Sequence, residues 1–97
     1  MSTVPQLEEV VAILRRHLPS PEYHAVLFGS RAHGKARPAS DWDIGVLGPQ
    51  RMRGAVIQAI RDDLEALRTL HTYDVVDLTT VPSTFREQAL RHAIRLV

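Results

Sequence analysis

The chain contains no cysteine, which removes disulfides, thiolate nucleophiles and Cys-ligated zinc from consideration. It has no uninterrupted apolar stretch approaching the ~20 residues that a membrane-spanning helix requires. The opening residues, Met1-Ser2-Thr3-Val4-Pro5, carry neither the basic nor the apolar region of a secretory signal. An excess of one charge sign is missing as well: 12 Lys and Arg nearly balance 11 Asp and Glu, for a formal charge of +1. Gripping a nucleic-acid backbone needs a concentrated basic face, so direct nucleic-acid binding is not expected. Internal repeats, low-complexity tracts and linkers are also absent. What is present is 97 residues, 44% hydrophobic and 24% charged. That balance predicts one small globular domain over residues 1–97, in the cytoplasm and off the membrane. A domain of this size leaves no room for a separate substrate-binding lobe.

Hydrophobic periodicity predicts the elements. Thr3 and Gln6 have the spacing of a capping box, and apolar residues then recur at Leu7, Val10, Val11, Leu14 and Leu18, the period of a helix. Pro19 and Pro21 end it. His24-Ala25-Val26-Leu27-Phe28 reads as a short buried strand closed by Gly29, and a short helical turn and a loop are expected from Gly29 to Ser40. Asp41 to Leu47 reads as a second strand. A long helix follows with Met52, Val56, Ile57, Ile60, Leu64 and Leu67 on one face. Tyr73 to Thr79 is a third strand. Ser83 is placed to cap a last helix that buries Phe85, Ala89, Leu90, Ala93, Ile94 and Val97. The order predicts an α/β (α+β) fold, a small mixed three-stranded sheet flanked by about four helices.

Two phosphate-binding patterns share Gly29. Gly29 to Lys35 follows most of the P-loop pattern G-x-x-x-x-G-K-[ST]. However, Ala36 stands where the magnesium-binding hydroxyl should be, and Pro38 breaks the helix that should follow. The second pattern is longer: Gly29-Ser30, ten intervening residues, then Asp41-Trp42-Asp43. Residues two apart on a strand point to the same face, so the carboxylates of Asp41 and Asp43 converge. Paired hard oxygen donors suit Mg²⁺ whose shell is completed by substrate phosphates. Gly29 lets backbone approach a phosphate, and Ser30 offers a hydroxyl and a helix N-terminus to the same anion.

A two-metal site calls for a further carboxylate. Asp77 lies between Val76 and Leu78, where an acid costs free energy unless paired or metal-bound. Asp74 lies at the strand entrance, where a solvated acid needs no explanation. Asp77 is therefore the expected third acid.

Gly29-Ser30, the Asp41/Asp43 pair and Asp77 in a Val-Asp-Leu strand together resemble the DNA polymerase beta-type nucleotidyltransferase superfamily. The chain's short length and the run Gly-Ser-Arg-Ala-His-Gly…Ser-Asp-Trp-Asp-Ile resemble its minimal nucleotidyltransferase (MNT) branch. The resemblance implies that Asp41, Asp43 and Asp77 hold two divalent ions, Mg²⁺ or Mn²⁺, and act in catalysis. It further implies that Gly29, Ser30 and Arg31 hold the nucleotide. The reaction implied is attack of an acceptor hydroxyl on the α-phosphorus of a nucleoside triphosphate, ATP above all. The partner implied is a helical HEPN-domain (higher eukaryotes and prokaryotes nucleotide-binding) toxin, with this chain the antitoxin that adenylylates it; homo- and hetero-oligomers both stay open. Many family members carry Arg where this chain has His33.

Other readings stand beside these. Transfer to a small hydroxylated molecule such as an aminoglycoside would need an extra domain or a second copy. A non-catalytic antitoxin that covers its partner would have no use for three acids. Trp42, between the two acids, is expected in the core. His17, His24, His71 and His92 show no metal-ligand spacing. Lys35, Arg37, Arg51 and Arg53 form a loose basic cluster, and Arg86, Arg91 and Arg95 read as the solvated side of the last helix.

Overall fold

The computed structural model describes residues 7–19, 21–29, 42–67 and 73–97. The first periodic run forms α1 (Leu7–His17), with Glu8 and Glu9 in its first turn and Arg15, Arg16 and His17 in its last, charges that complement the helix dipole. Its proposed Thr3–Gln6 cap lies outside the described residues, as does the helical turn expected before Ser40. After the proline turn come β1 (His24–Phe28) and β2 (Trp42–Leu47), which pair antiparallel. Helix α2 (Gly54–Glu65) then returns the chain to β3 (Tyr73–Asp77), which lies parallel to β2. Met52, counted in that helix by its periodicity, is buried just ahead of it.

One face of the sheet carries the core. Ala25 and Leu27 of β1, Trp42, Ile44 and Val46 of β2 and Val75 of β3 pack with Val10, Ile13 and Leu14 of α1 and Ile60 and Leu64 of α2. Leu14, Ile44, Ile60 and Leu64 are completely enclosed, and each such side chain contributes roughly 1.5–3 kcal/mol of burial. Trp42 belongs to this core as expected, its ring edge-on to Tyr73 at 6.0 Å.

The last segment departs from expectation. Helix α3 (Ser83–Arg91) starts after Pro82, makes no side-chain capping bond and buries none of its residues; Phe85, Leu90 and Ile94 are all exposed. Ser83 is its first residue rather than its cap. The helix stops at His92, and β4 (Ile94–Arg95) pairs antiparallel with β1, giving a four-stranded mixed sheet in the order β3-β2-β1-β4. Without β4 the outer edge of β1 would leave buried backbone groups unpaired. Instead the carbonyl of Ala25 accepts from Leu96 N (2.8 Å) and Val97 N (3.2 Å), and Ala25 N donates to Val97 O (3.3 Å). The described residues thus hold three helices and four strands, against the four and three expected.

Arg86 is not a solvated residue either. Its guanidinium donates to the carbonyls of Leu78 (2.8 Å), Thr79 (3.1 Å) and Val81 (3.2 Å), fixing the loop between β3 and α3. No helix among the described residues is long and apolar enough to cross a membrane.

Candidate functional site

Three strands meet at one rim of the sheet. Strand β1 runs up to it and ends at Phe28, whereas β2 and β3 both start from it. The register across that rim is Phe28 against Asp43 and Asp43 against Asp74. Residues in register on neighbouring strands share a face and lie about 5 Å apart. Asp43 and Asp74 therefore stand side by side on the face opposite the helical core. Asp43 is half-buried and Asp74 exposed.

Gly29 closes the rim. Its φ is +77°, in the region that glycine occupies without steric cost. A Cβ at this position would collide with Oδ2 of Asp43. The glycine is thus needed twice, for the turn out of β1 and for the close approach of backbone to that carboxylate. The rim thus presents bare backbone on one side and acids on the other. Like charges in adjacent registers repel, and a hard divalent cation between them removes the repulsion. The donor set suits such an ion.

Asp77 lies elsewhere. It pairs in register with Val46, not Asp43, three residues further along β3 and so roughly 10 Å from the rim. The odd offset from Asp74 turns its side chain to the opposite face. There its carboxylate accepts from Met52 N at 2.9 Å and from Thr79 N at 3.0 Å, tying the lead-in of α2 to the end of β3. The expectation that Asp77 joins the acid pair is corrected: its half-buried charge is satisfied by backbone donors, and Asp74 occupies the place beside Asp43. A signal for this was present in the sequence. Trp42-Asp43-Ile44 and Tyr73-Asp74-Val75 repeat one aromatic–acid–aliphatic triplet, and the two triplets are in register.

Ser30, Arg31, His33, Lys35, Arg37 and Asp41 lie outside the described residues. Arg51 and Arg53 do not surround the rim; they follow the far end of β2, and Arg51 lines a groove with Met52 and Asp77. Among the described residues no group of three or more His, Cys, Asp or Glu is placed to hold a metal ion, so the site there consists of the Asp43/Asp74 pair and Gly29. His17 and His24 stand apart from it, and His33 and His71 lie outside the described residues. His17 Nε2 lies 2.7 Å from Oδ2 of Asp63, which also accepts from Arg16 at 3.2 Å, joining α1 to α2. The hydrogen bond from His17, with the charges of His17 and Arg16 beside it, holds the Asp63 carboxyl below its ordinary range. His24 Nδ1 faces Arg95 at 2.9 Å, at the other end of β1.

Comparison with known proteins adds the following. A family model described as polymerase beta, nucleotidyltransferase matches residues 8–97. No curated protein matches the chain significantly. A toxin–antitoxin crystal structure with AMP-PNP superposes with a TM-score of 0.76 at 24% identity, covering 95% of this chain and 73% of that one. The structure of a tri-AMPylated Shewanella oneidensis HEPN toxin in complex with MNT antitoxin gives 0.68 at 22% identity, covering 94% and 68%. A protein described as a minimal nucleotidyltransferase gives 0.70 at 31% identity, covering 91% and 86%.

Proposed function

The chain belongs to the polymerase beta nucleotidyltransferase family, and from that premise we propose that it transfers AMP from ATP to a hydroxyl of a partner protein, a helical toxin of the HEPN type. The observation that carries this reading is the row formed by Gly29, Asp43 and Asp74 across one rim of the sheet. Asp41, two residues before Asp43 on the same strand pattern, is the third acid of the proposed set, and Ser30 and Arg31 follow Gly29 as phosphate contacts.

In this reading Asp41, Asp43 and Asp74 would hold Mg²⁺, which neutralises charge on the triphosphate when bound. The chain's own contribution is placement. Gly29 admits the phosphates to within backbone hydrogen-bonding distance, and the acids fix their orientation for in-line attack. The acceptor oxygen bonds to the α-phosphorus, the bond to the β-phosphate oxygen breaks, and pyrophosphate leaves. The acceptor's proton passes to a carboxylate of the set.

The partner assignment is supported by the solved relatives, described as toxin–antitoxin pairs and, in one case, as holding a tri-AMPylated toxin. The test is co-expression of the chain with a HEPN-type toxin and measurement of the toxin's intact mass. AMP-sized increments that disappear with Asp43→Asn support the function. An unmodified partner, neutralised equally well by wild type and by Asp43→Asn, refutes it and leaves neutralisation by covering.

A further inference from the structure

Beside the acid row lies a pocket that the triphosphate reading does not use. It has a volume of about 310 Å³ and is lined by Phe28, Gly29, Phe85, Gln88 and Ala89. That volume is at the small end of the range for small-molecule sites. Phe85, Gln88 and Ala89 fall at i, i+3 and i+4 of α3, hence on one side of that helix. Phe28 closes the opposite wall, its ring edge-on to that of Phe85 at 6.3 Å and 83°. Phe28 is nearly buried, whereas Phe85 stays 45% exposed, an aromatic surface left uncovered at the mouth of the pocket. Ala89 supplies only a methyl group, which leaves the space open.

The chemistry of this lining is distinctive. Among the described residues, no ionisable side chain contributes to it. Other grooves among the described residues are edged by Arg15 and Arg95, by Arg51, Arg61 and Asp77, or by Glu9, Arg16 and Asp63. A neutral wall with two aromatic rings and a single amide suits a flat, uncharged heteroaromatic group and suits neither a phosphate nor a cation. Gly29 belongs both to this pocket and to the acid row, so one ligand spanning it would place its anionic end at the acids and its planar end against Phe85. A nucleoside triphosphate has that shape.

We infer that the cleft between the end of β1 and α3 is the nucleobase pocket of this chain, with Phe85 as the stacking surface and Gln88 as the group that selects adenine. The inference rests on the triphosphate reading above and deepens it. An amide offers a donor and an acceptor side by side, the complement of the adenine edge, and it is the side chain commonly found paired with adenine. A carboxylate at the same position offers two acceptors, the complement of the N1–H and amino donors of guanine.

The test measures binding of Mg²⁺-ATP, Mg²⁺-GTP and Mg²⁺-tripolyphosphate to the full chain by calorimetry. Phe85→Ala weakens ATP roughly tenfold, the scale of one base–aromatic stack, and leaves tripolyphosphate unchanged. Gln88→Glu moves the ATP-to-GTP preference toward GTP by at least about fivefold. Ala89→Phe fills the pocket and reproduces the loss of ATP with tripolyphosphate retained. Unchanged ATP affinity and unchanged base preference in all three variants, with tripolyphosphate still bound, overturn the nucleobase pocket while leaving the triphosphate site standing. Equal weakening of ATP and tripolyphosphate also overturns it, because a ligand without a base cannot feel a base contact. If wild type binds neither ATP nor tripolyphosphate, the triphosphate reading falls and the pocket assignment falls with it.

Discussion

Replacing Gly29 by alanine perturbs two things that the structure separates in magnitude. The first is backbone conformation. At φ +77° an L-residue pays roughly 1–2 kcal/mol that glycine does not. In a domain of this size each kcal/mol moves the melting temperature by about 4–8 °C, so Gly29→Ala should melt several degrees lower. The second is geometric. The added methyl group would occupy the position of Asp43 Oδ2, and the flexible end of that side chain is what gives way. Because β2 holds the Asp43 backbone in the sheet by pairing with β1 and β3, relief comes from swinging the carboxylate off the row. A misplacement of about 1 Å at a reacting centre can cost on the order of 100-fold in rate. The assays are thermal unfolding followed by circular dichroism and AMP transfer to the partner at a temperature where the variant is fully folded. Transfer should fall far more than the loss of folded protein explains. Full transfer in a folded variant would refute the claim that Gly29 and Asp43 form one site, and an unchanged melting temperature would refute the conformational argument.

Gly54 makes the opposite case: it opens α2 with nothing within 4 Å of its would-be Cβ, so Gly54→Ala should stabilise by about 0.4–1 kcal/mol in urea unfolding and leave transfer untouched. Arg86→Lys cannot span three carbonyls with one ammonium and should lose about 1.5–3 kcal/mol of stability, read in the same experiment. Asp63, whose carboxyl is held below its ordinary value of 3.8 mainly by the hydrogen bond with His17, contributes stability that is complete above that value and disappears as pH falls through the lowered one. Wild type should accordingly exceed Asp63→Asn in stability at mildly acid and neutral pH, with the two curves closing toward strong acid.

Periodicity made most of the scaffold legible. Strands β1 and β2, helices α1 and α2 and the core position of Trp42 all follow from patterns of apolar residues that one face of a sheet or helix must bury. The errors share one cause, since each concerns how an element sits against another. An apolar stripe on α3 specifies a face but not what covers it, and Phe85, Leu90 and Ile94 remain exposed. Strand β4 is two residues long and exists because the edge of β1 has groups to satisfy, so no local pattern announces it. Register between β2 and β3 is likewise non-local. Asp77 in mid-strand calls for a partner or a metal, and its sequence neighbours do not say which; the backbone N–H groups of Met52 and Thr79 are the partners.

Comparison of Asp74→Asn with Asp77→Asn tests the central claim most directly, with transfer to the partner and thermal stability measured on both. Asp74→Asn should lose transfer by on the order of 100-fold or more while keeping or slightly raising its melting temperature, since a repulsion with Asp43 is relieved. Asp77→Asn should melt lower by the loss of charged hydrogen bonds, about 1.5–3 kcal/mol, yet transfer AMP within a few-fold of wild type wherever it is folded. Full transfer by Asp74→Asn, together with a folded but inactive Asp77→Asn, would contradict the account.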